Sequence, residues 1–315
     1  MTGIERFNSY LNEWEVLADK ANASGNIAEY CLNNNARTIF FMLEALCKVY
    51  KSLHNEKMFS KQGDRFKEIE DLLGDMDHYR ECIDDYEKRE NAAGEVMKFY
   101  ETKYEEARNE LNTLLIEKDW LNGKRIRKLR KKFDEADWLS KKEEVYAFRK
   151  YYLDEIDEFK DLYAATGNFT LIEDHLHEFR RRLRWFSIYP HALQGAVQFT
   201  EDTAIPDELV KYQTEVVISS PFNKFPAPGD QTYVLTLEKS RFLALSWMID
   251  ALGKLKDKAL LEENLTKAVE ATNSTQSLLN STQFEKEILR DANNIMHTFM
   301  ADRVLENMVR EVKKV

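Results

Sequence analysis

The sequence predicts an all-α protein made of two tandem four-helix-bundle-like repeats, with a small β-hairpin insertion in the second. Three observations lead there. Proline is absent before position 190 and after 228, and only ten glycines are spread over 315 residues. Long helices suit that distribution, because either residue is costly in a helix interior. A short Leu-Gly…Asp signature also occurs twice. It reads Leu73-Gly74-Asp75-Met76-Asp77 downstream of Arg37, and Leu252-Gly253-Lys254-Leu255-Lys256-Asp257 downstream of His177, Arg180 and Arg184. Such a recurrence marks one supersecondary unit used twice. Finally, Arg37 to Gly74 spans 37 positions and Arg180 to Gly253 spans 73, so the second copy holds 36 extra residues; all five prolines (Pro190, Pro206, Pro221, Pro226, Pro228) fall in or beside them. The expected organisation is an N-terminal helix over 1–25, a first repeat over 26–165, and a second over 166–315 carrying the insertion 187–237.

Each element has its own local reason. Residues 4–19 place Phe7, Tyr10, Leu11, Trp14 and Leu17 on one helical face, and a turn is expected around Asn22–Asn26. The run Ile27–Leu53 is apolar around much of its circumference, as in a buried helix. Helical periodicity fills 64–89 and 92–120, with breaks expected near Gly63 and Gly94. Asn122-Gly123 ends the next element, and a basic segment opens another that runs with interruptions to Tyr163. After Gly167, Thr170-Leu171-Ile172-Glu173 has the form of a capping box. The helix it opens sets Ile172, Leu176, Phe179, Leu183 and Phe186 on one face and His177, Arg180, Arg181 and Arg184 on the other. The β-type runs 211–219 and 231–238 flank Pro228-Gly229-Asp230 and are expected to pair as the hairpin. Helical pattern returns at Lys239–Lys258 and continues to the end, with a second box at Thr282-Gln283-Phe284-Glu285.

Composition narrows the function classes. The chain is 43% hydrophobic and 32% charged, which suits folded helices with exposed charged faces. Cys31, Cys47 and Cys82 are few and odd in number, which favours a reducing compartment over a disulfide scaffold. The opening residues show no basic segment followed by an apolar run, and no stretch approaches the ~18 apolar residues of a membrane span. A cytoplasmic protein with no membrane partner is therefore expected. A net charge of −10 argues against general nucleic-acid binding. Seven of the nine residues Lys124–Lys132 are basic, leaving −17 on the rest, but Ile126, Leu129 and Phe133 interleave as a core-facing stripe, not as base-stacking platforms.

The repeated motif resembles the CHAD family, the conserved-histidine α-helical domain. That family has two four-helix repeats, each with an opening His-x-x-Arg helix and a later Leu-Gly…Asp turn. The second half carries the resemblance best, through His177-Glu178-Phe179-Arg180, Arg184 and Leu252-Gly253…Asp257. In the first half, Asn34 stands at the histidine position before Arg37, and Asp77-His78 replaces the family's Arg-Asp pair. The resemblance implies a non-enzymatic protein, without cofactor or metal, whose basic helix faces bind inorganic polyphosphate or another phosphate anion. The residues it points to are Arg37, Lys48 and Lys51 on one stripe, His177, Arg180, Arg181 and Arg184 on another, and Lys254 and Lys256 beside the second Leu-Gly turn. Rows of such side chains on rigid helices meet phosphate through charge-assisted, often bidentate hydrogen bonds.

Two alternatives stand beside that expectation. One is a scaffold bundle with a protein partner, in which the basic residues are paired to acids. The other is a di-metal bundle enzyme using Asp75-x-x-His78, Asp174-x-x-His177 and Glu44; such sites favour Glu in the motif and draw ligands from four helices. No Gly-rich phosphate loop, Cys-x-x-Cys pair or Gly-x-Ser-x-Gly elbow is present.

Overall fold

A computed structural model describes residues 1–89, 92–200, 204–275 and 281–315; positions 201–203 of the expected insertion, and 276–280 of the expected C-terminal helical stretch, lie outside the described residues. In chain order the helices are α1 (Gly3–Ser24), α2 (Ile27–Asn33), α3 (Ala36–Leu53), α4 (Glu56–Tyr86), α5 (Gly94–Glu117), α6 (Lys124–Asp134), α7 (Lys141–Thr166), α8 (Glu178–Ala192), α9 (Glu215–Ser219), α10 (Lys239–Thr272) and α11 (Ser281–Ala301). The strands are β1 (Val197–Thr200), β2 (Tyr233–Glu238) and β3 (Val309–Lys314). The protein is all-α with one small sheet, and no helix among the described residues is long and apolar enough to cross a membrane.

The chain divides into two compact units. The N-terminal unit comprises Gly3–Trp138 with Leu261–Leu278, and the C-terminal unit comprises Met1–Thr2, Leu139–Leu260 and Leu279–Val315. The division differs from a cut at 165/166 in two ways. Helix α7 belongs to the C-terminal unit, where it packs on β2 and β3, and α10 contributes its last turns to the N-terminal unit. Residues of α1 pack on α2, α3 and α6 and so belong to the N-terminal core.

In the N-terminal unit the apolar faces of α1, α3, α4 and α6 converge on an aromatic core. Phe7 lies 4.4 Å from Phe133 and Trp14 4.7 Å from Phe40, centroid to centroid. The wholly buried Arg6 is accommodated there because it donates to the Tyr50 hydroxyl at 2.8 Å. Helix α4 runs unbroken through both of its glycines, so the break expected near Gly63 does not occur. A Cβ at Gly63 would lie 3.2 Å from the Cys47 Cβ, and the bare backbone is what lets α3 approach. A second cluster joins Cys82, Tyr86, Val96 and Tyr100 to Leu265, Ala268 and Val269 of α10.

In the C-terminal unit, α7 and α8 share the contacts of Tyr151 with Tyr189 (hydroxyls 2.9 Å apart) and of Phe159 with Phe179. The sheet order is β1-β2-β3, with β1 parallel to β2 and β2 antiparallel to β3. This corrects the expected hairpin. Residues 233–238 are a strand, but 215–219 form the short helix α9. Both edges of β2 are occupied by strands from elsewhere in the chain. Thr214 caps α9 by accepting from the Val217 amide, and Pro221 follows it. A local cap therefore outweighs the β preference of Val216-Val217-Ile218.

The capping box expected at Thr170 is also replaced. The Thr170 amide donates to His175 Nδ1 at 3.0 Å, and Ile172–His177 forms a π-helical turn before α8. At the second expected box, Thr282 lies inside α11, which begins at Ser281. The capping box that does form among the described residues is Ser140 with Glu143, at the start of α7.

Candidate anion site beside Gly253

The two Leu-Gly signatures are not turns. Gly74 sits inside α4 and Gly253 inside α10, and each lies under an arginine from another helix. A Cβ built on Gly74 would come 2.7 Å from NH2 of Arg37, and one on Gly253 would come 3.0 Å from both Nε and NH2 of Arg180. Each glycine is thus a vacancy filled by a guanidinium. The same contact recurs once in each unit.

What surrounds the two guanidiniums differs completely. Arg37 donates through Nε to Glu70 Oε1 at 2.7 Å and through NH1 to Asp77 Oδ2 at 3.4 Å. Glu70 and Asp77 stand four residues before and three after Gly74. Further acid crowds the spot. Asp75 is held above the usual carboxylate range by burial first and then by Asp71, with Arg37 opposing, and Glu44 is raised by burial with Glu70 adding to it.

Counted the same way from Gly253, those positions hold Ile249 and Lys256, and Lys254 replaces Asp75. Three acids in one copy correspond to an apolar residue and two bases in the other. Consistently, no hydrogen bond or ion pair among the described residues engages Arg180, and its Nε is shut off from solvent without a partner.

The other basic groups gather around it. His177 precedes Arg180 by one turn and Arg184 follows it by one turn, Arg184 being half-buried. Burial pushes the His177 imidazole down, and the nearby charges of Lys256, Arg181 and Arg180 push it further, against Glu173, whose Oε2 lies 3.3 Å from Nδ1. Lys256, from the Gly253 helix, is thus near enough to act on His177. Lys256 is only 17% exposed and lies 3.3 Å from Asp257. The π-helical turn carrying His177 is fixed by Asn293 of α11, which accepts from the Phe169 amide at 2.6 Å and donates to its carbonyl at 3.0 Å. Turns of this kind recur at functional sites.

The remaining expected residues are engaged otherwise. Lys48 pairs with Glu44 at 3.3 Å, Arg181 with Glu178 at 2.5 Å and Lys254 with Asp250 at 2.7 Å, while Lys51 is exposed in the last turn of α3. Arg180, His177 and Lys256 are brought near one another in the C-terminal unit, with Arg184 one turn further along α8; His177 and Lys256 also have acid neighbours, Glu173 and Asp257. Glu70, Asp77, Ile249 and Asn293 were missed from sequence. The first three become visible on comparing residues at equal offsets from the two glycines, whereas Asn293 carries no such signal.

Among the described residues no group of three or more His, Cys, Asp or Glu is placed to hold a metal ion. His78 lies 3.6 Å from the Cys82 sulfur and His177 faces Glu173. No family model matches the chain, and no curated protein or solved structure shows significant similarity to it.

Proposed function

We propose that the chain binds a phosphate-rich anion, inorganic polyphosphate or a shorter condensed phosphate, through the basic group around Arg180. The observation that carries this reading is Arg180 itself, a guanidinium held over Gly253 with a buried, unsatisfied Nε and no acid engaging it. Leaving such a donor unmet costs about 1–3 kcal/mol. An anion oxygen meets that need, Arg184 and Lys256 supply further charge for the rest of the ligand, and His177 supplies a further polar group. The resemblance to the CHAD family supports the same ligand class. The role is binding and not catalysis, without cofactor or metal, nucleic acid or membrane. A cytoplasmic location accords with three buried, unpaired cysteines.

A second reading, a protein-interaction bundle, is favoured by the N-terminal unit, where Arg37 and Lys48 are held by acids. Calorimetric titration of inorganic triphosphate at low salt separates the two. Arg180→Ala should weaken binding by roughly 10- to 150-fold, equivalent to the ~1.5–3 kcal/mol of a hydrogen bond to a charged group. Absence of heat with the wild-type protein leaves the interaction bundle as the better reading.

A further inference from the structure

We propose that the chain carries one open anion site and one closed by its own carboxylates, so that it takes a single compact condensed phosphate. This rests on the phosphate reading of the Arg180 site and adds the number, size and chemical class of what is bound.

The closed copy serves as an internal ligand complex. Glu70 presents an oxygen to the Nε edge of Arg37 at 2.7 Å, and Asp77 presents a second to NH1 at 3.4 Å. Two anionic oxygens from separate groups thus share one guanidinium, the arrangement that neighbouring phosphoryl groups of a di- or triphosphate offer. In the open copy both acids are absent, and Lys256 stands where Asp77 would be. The charge reversal removes the internal ligand and adds attraction for an external one.

The open site is also short. Arg180 and Arg184 are one turn apart, about 6 Å along the axis, and His177 lies one turn on the other side. Affinity should therefore climb from orthophosphate to triphosphate and then level off with chain length, apart from the statistical gain of a longer chain. The first copy offers no second foothold, because its arginine is already engaged and its surroundings are acidic.

The test is a count of bound triphosphate by calorimetry on the full chain, in three forms with the fold checked by circular dichroism. Wild type should bind one equivalent. Glu70→Ile with Asp77→Lys, which removes the two carboxylates that engage Arg37 and puts the open half's residues at those two positions, should bind two. Ile249→Glu with Lys256→Asp, which copies the closed half into the open one, should lose at least about tenfold in affinity, the equivalent of one charged hydrogen bond. Position 249 is only half-buried, so this last variant tolerates the acid and decides the matter if the first fails to fold.

Two equivalents on wild type overturn the proposal, as does one equivalent on a folded Glu70→Ile/Asp77→Lys protein. If Arg180→Ala abolishes binding while Ile249→Glu/Lys256→Asp binds like wild type, the phosphate reading stands and the closed-copy proposal falls. If wild type binds no triphosphate, both fall together.

Discussion

Gly74 and Gly253 occupy the same relation to an arginine, yet the same substitution should have opposite effects at the two. Alanine in a helix interior is favoured over glycine by roughly 1 kcal/mol. At Gly253 the new Cβ displaces only a guanidinium without protein partners. Gly253→Ala should therefore hold or raise stability in urea denaturation while weakening triphosphate binding. At Gly74 the Cβ pushes Arg37 away from Glu70, whose side chain is only 8% exposed. Losing a charged hydrogen bond worth about 1.5–3 kcal/mol outweighs the helix gain, so Gly74→Ala should destabilise by about 1 kcal/mol. His177 offers a second measurement at this scale. Burial, then Lys256, Arg181 and Arg180, depress it below its ordinary value, with Glu173 opposing. The unfolded chain then takes up the proton first as pH falls. The stability due to neutral His177 is whole above about pH 6.5 and is lost as pH falls through the lower folded value. His177→Gln should flatten the stability profile across that window. A bound anion acts the other way, so triphosphate binding should be accompanied by proton uptake at mildly acidic pH in wild type, and by less in the variant.

At the scale of elements, the stripes were legible and the junctions were not. The 3.6-residue spacing of Phe179, Leu183 and Phe186 opposite Arg180 and Arg184 foretells α8 and its basic face directly. Gly63 misled, since a glycine in a helical pattern reads as a break, whereas the breaks expected at Gly94, Gly123 and Gly167 do occur. At Gly63 and Gly74 the use of glycine is instead the space it leaves for Cys47 and for Arg37. The sheet was half legible. β2 is apolar and β-branched, but each β1 residue lies 38 positions before its partner and β3 is at residues 309–314, pairings that local pattern does not reveal. The π-helical turn was hidden as well, because His175 takes the Thr170 amide that a capping box would have given to the Glu173 side chain. That turn also depends on Asn293, which holds both polar groups of the Phe169 backbone. Asn293→Ala should thus cost about 1–3 kcal/mol of stability. It should also lower triphosphate affinity without touching the ligand, whereas Asn293→Asp, which retains the acceptor, should lose less stability than alanine.

For the whole molecule, composition conceals what the site requires. A net charge of −10 repels polyanions at long range, so the attraction must come from a few groups close together. Binding should weaken with added salt as those charges are screened over about 10 Å at 0.1 M. At a hundredfold excess over Kd, triphosphate should add about 2.7 kcal/mol to unfolding, seen as a rise in melting temperature that Arg180→Ala cuts to about half or less. The recurrence of one arginine-on-glycine contact was foreshadowed by the two Leu-Gly signatures. The opposite fates of the copies were not, because they rest on partners set at offsets that matter only once each arginine is known to lie on its glycine. That difference also governs how the two halves should vary by descent. The Arg37 half inherits its counter-ions with its own coding sequence, so loss of Glu70 is felt wherever the protein must fold. On the phosphate proposal the Arg180 half takes its counter-ion from solution, so its loss should be felt only where the anion matters. Among descendants of this chain, positions 37, 70 and 77 should change together or not at all, while 180 and 253 should drift freely in lineages that have abandoned the ligand.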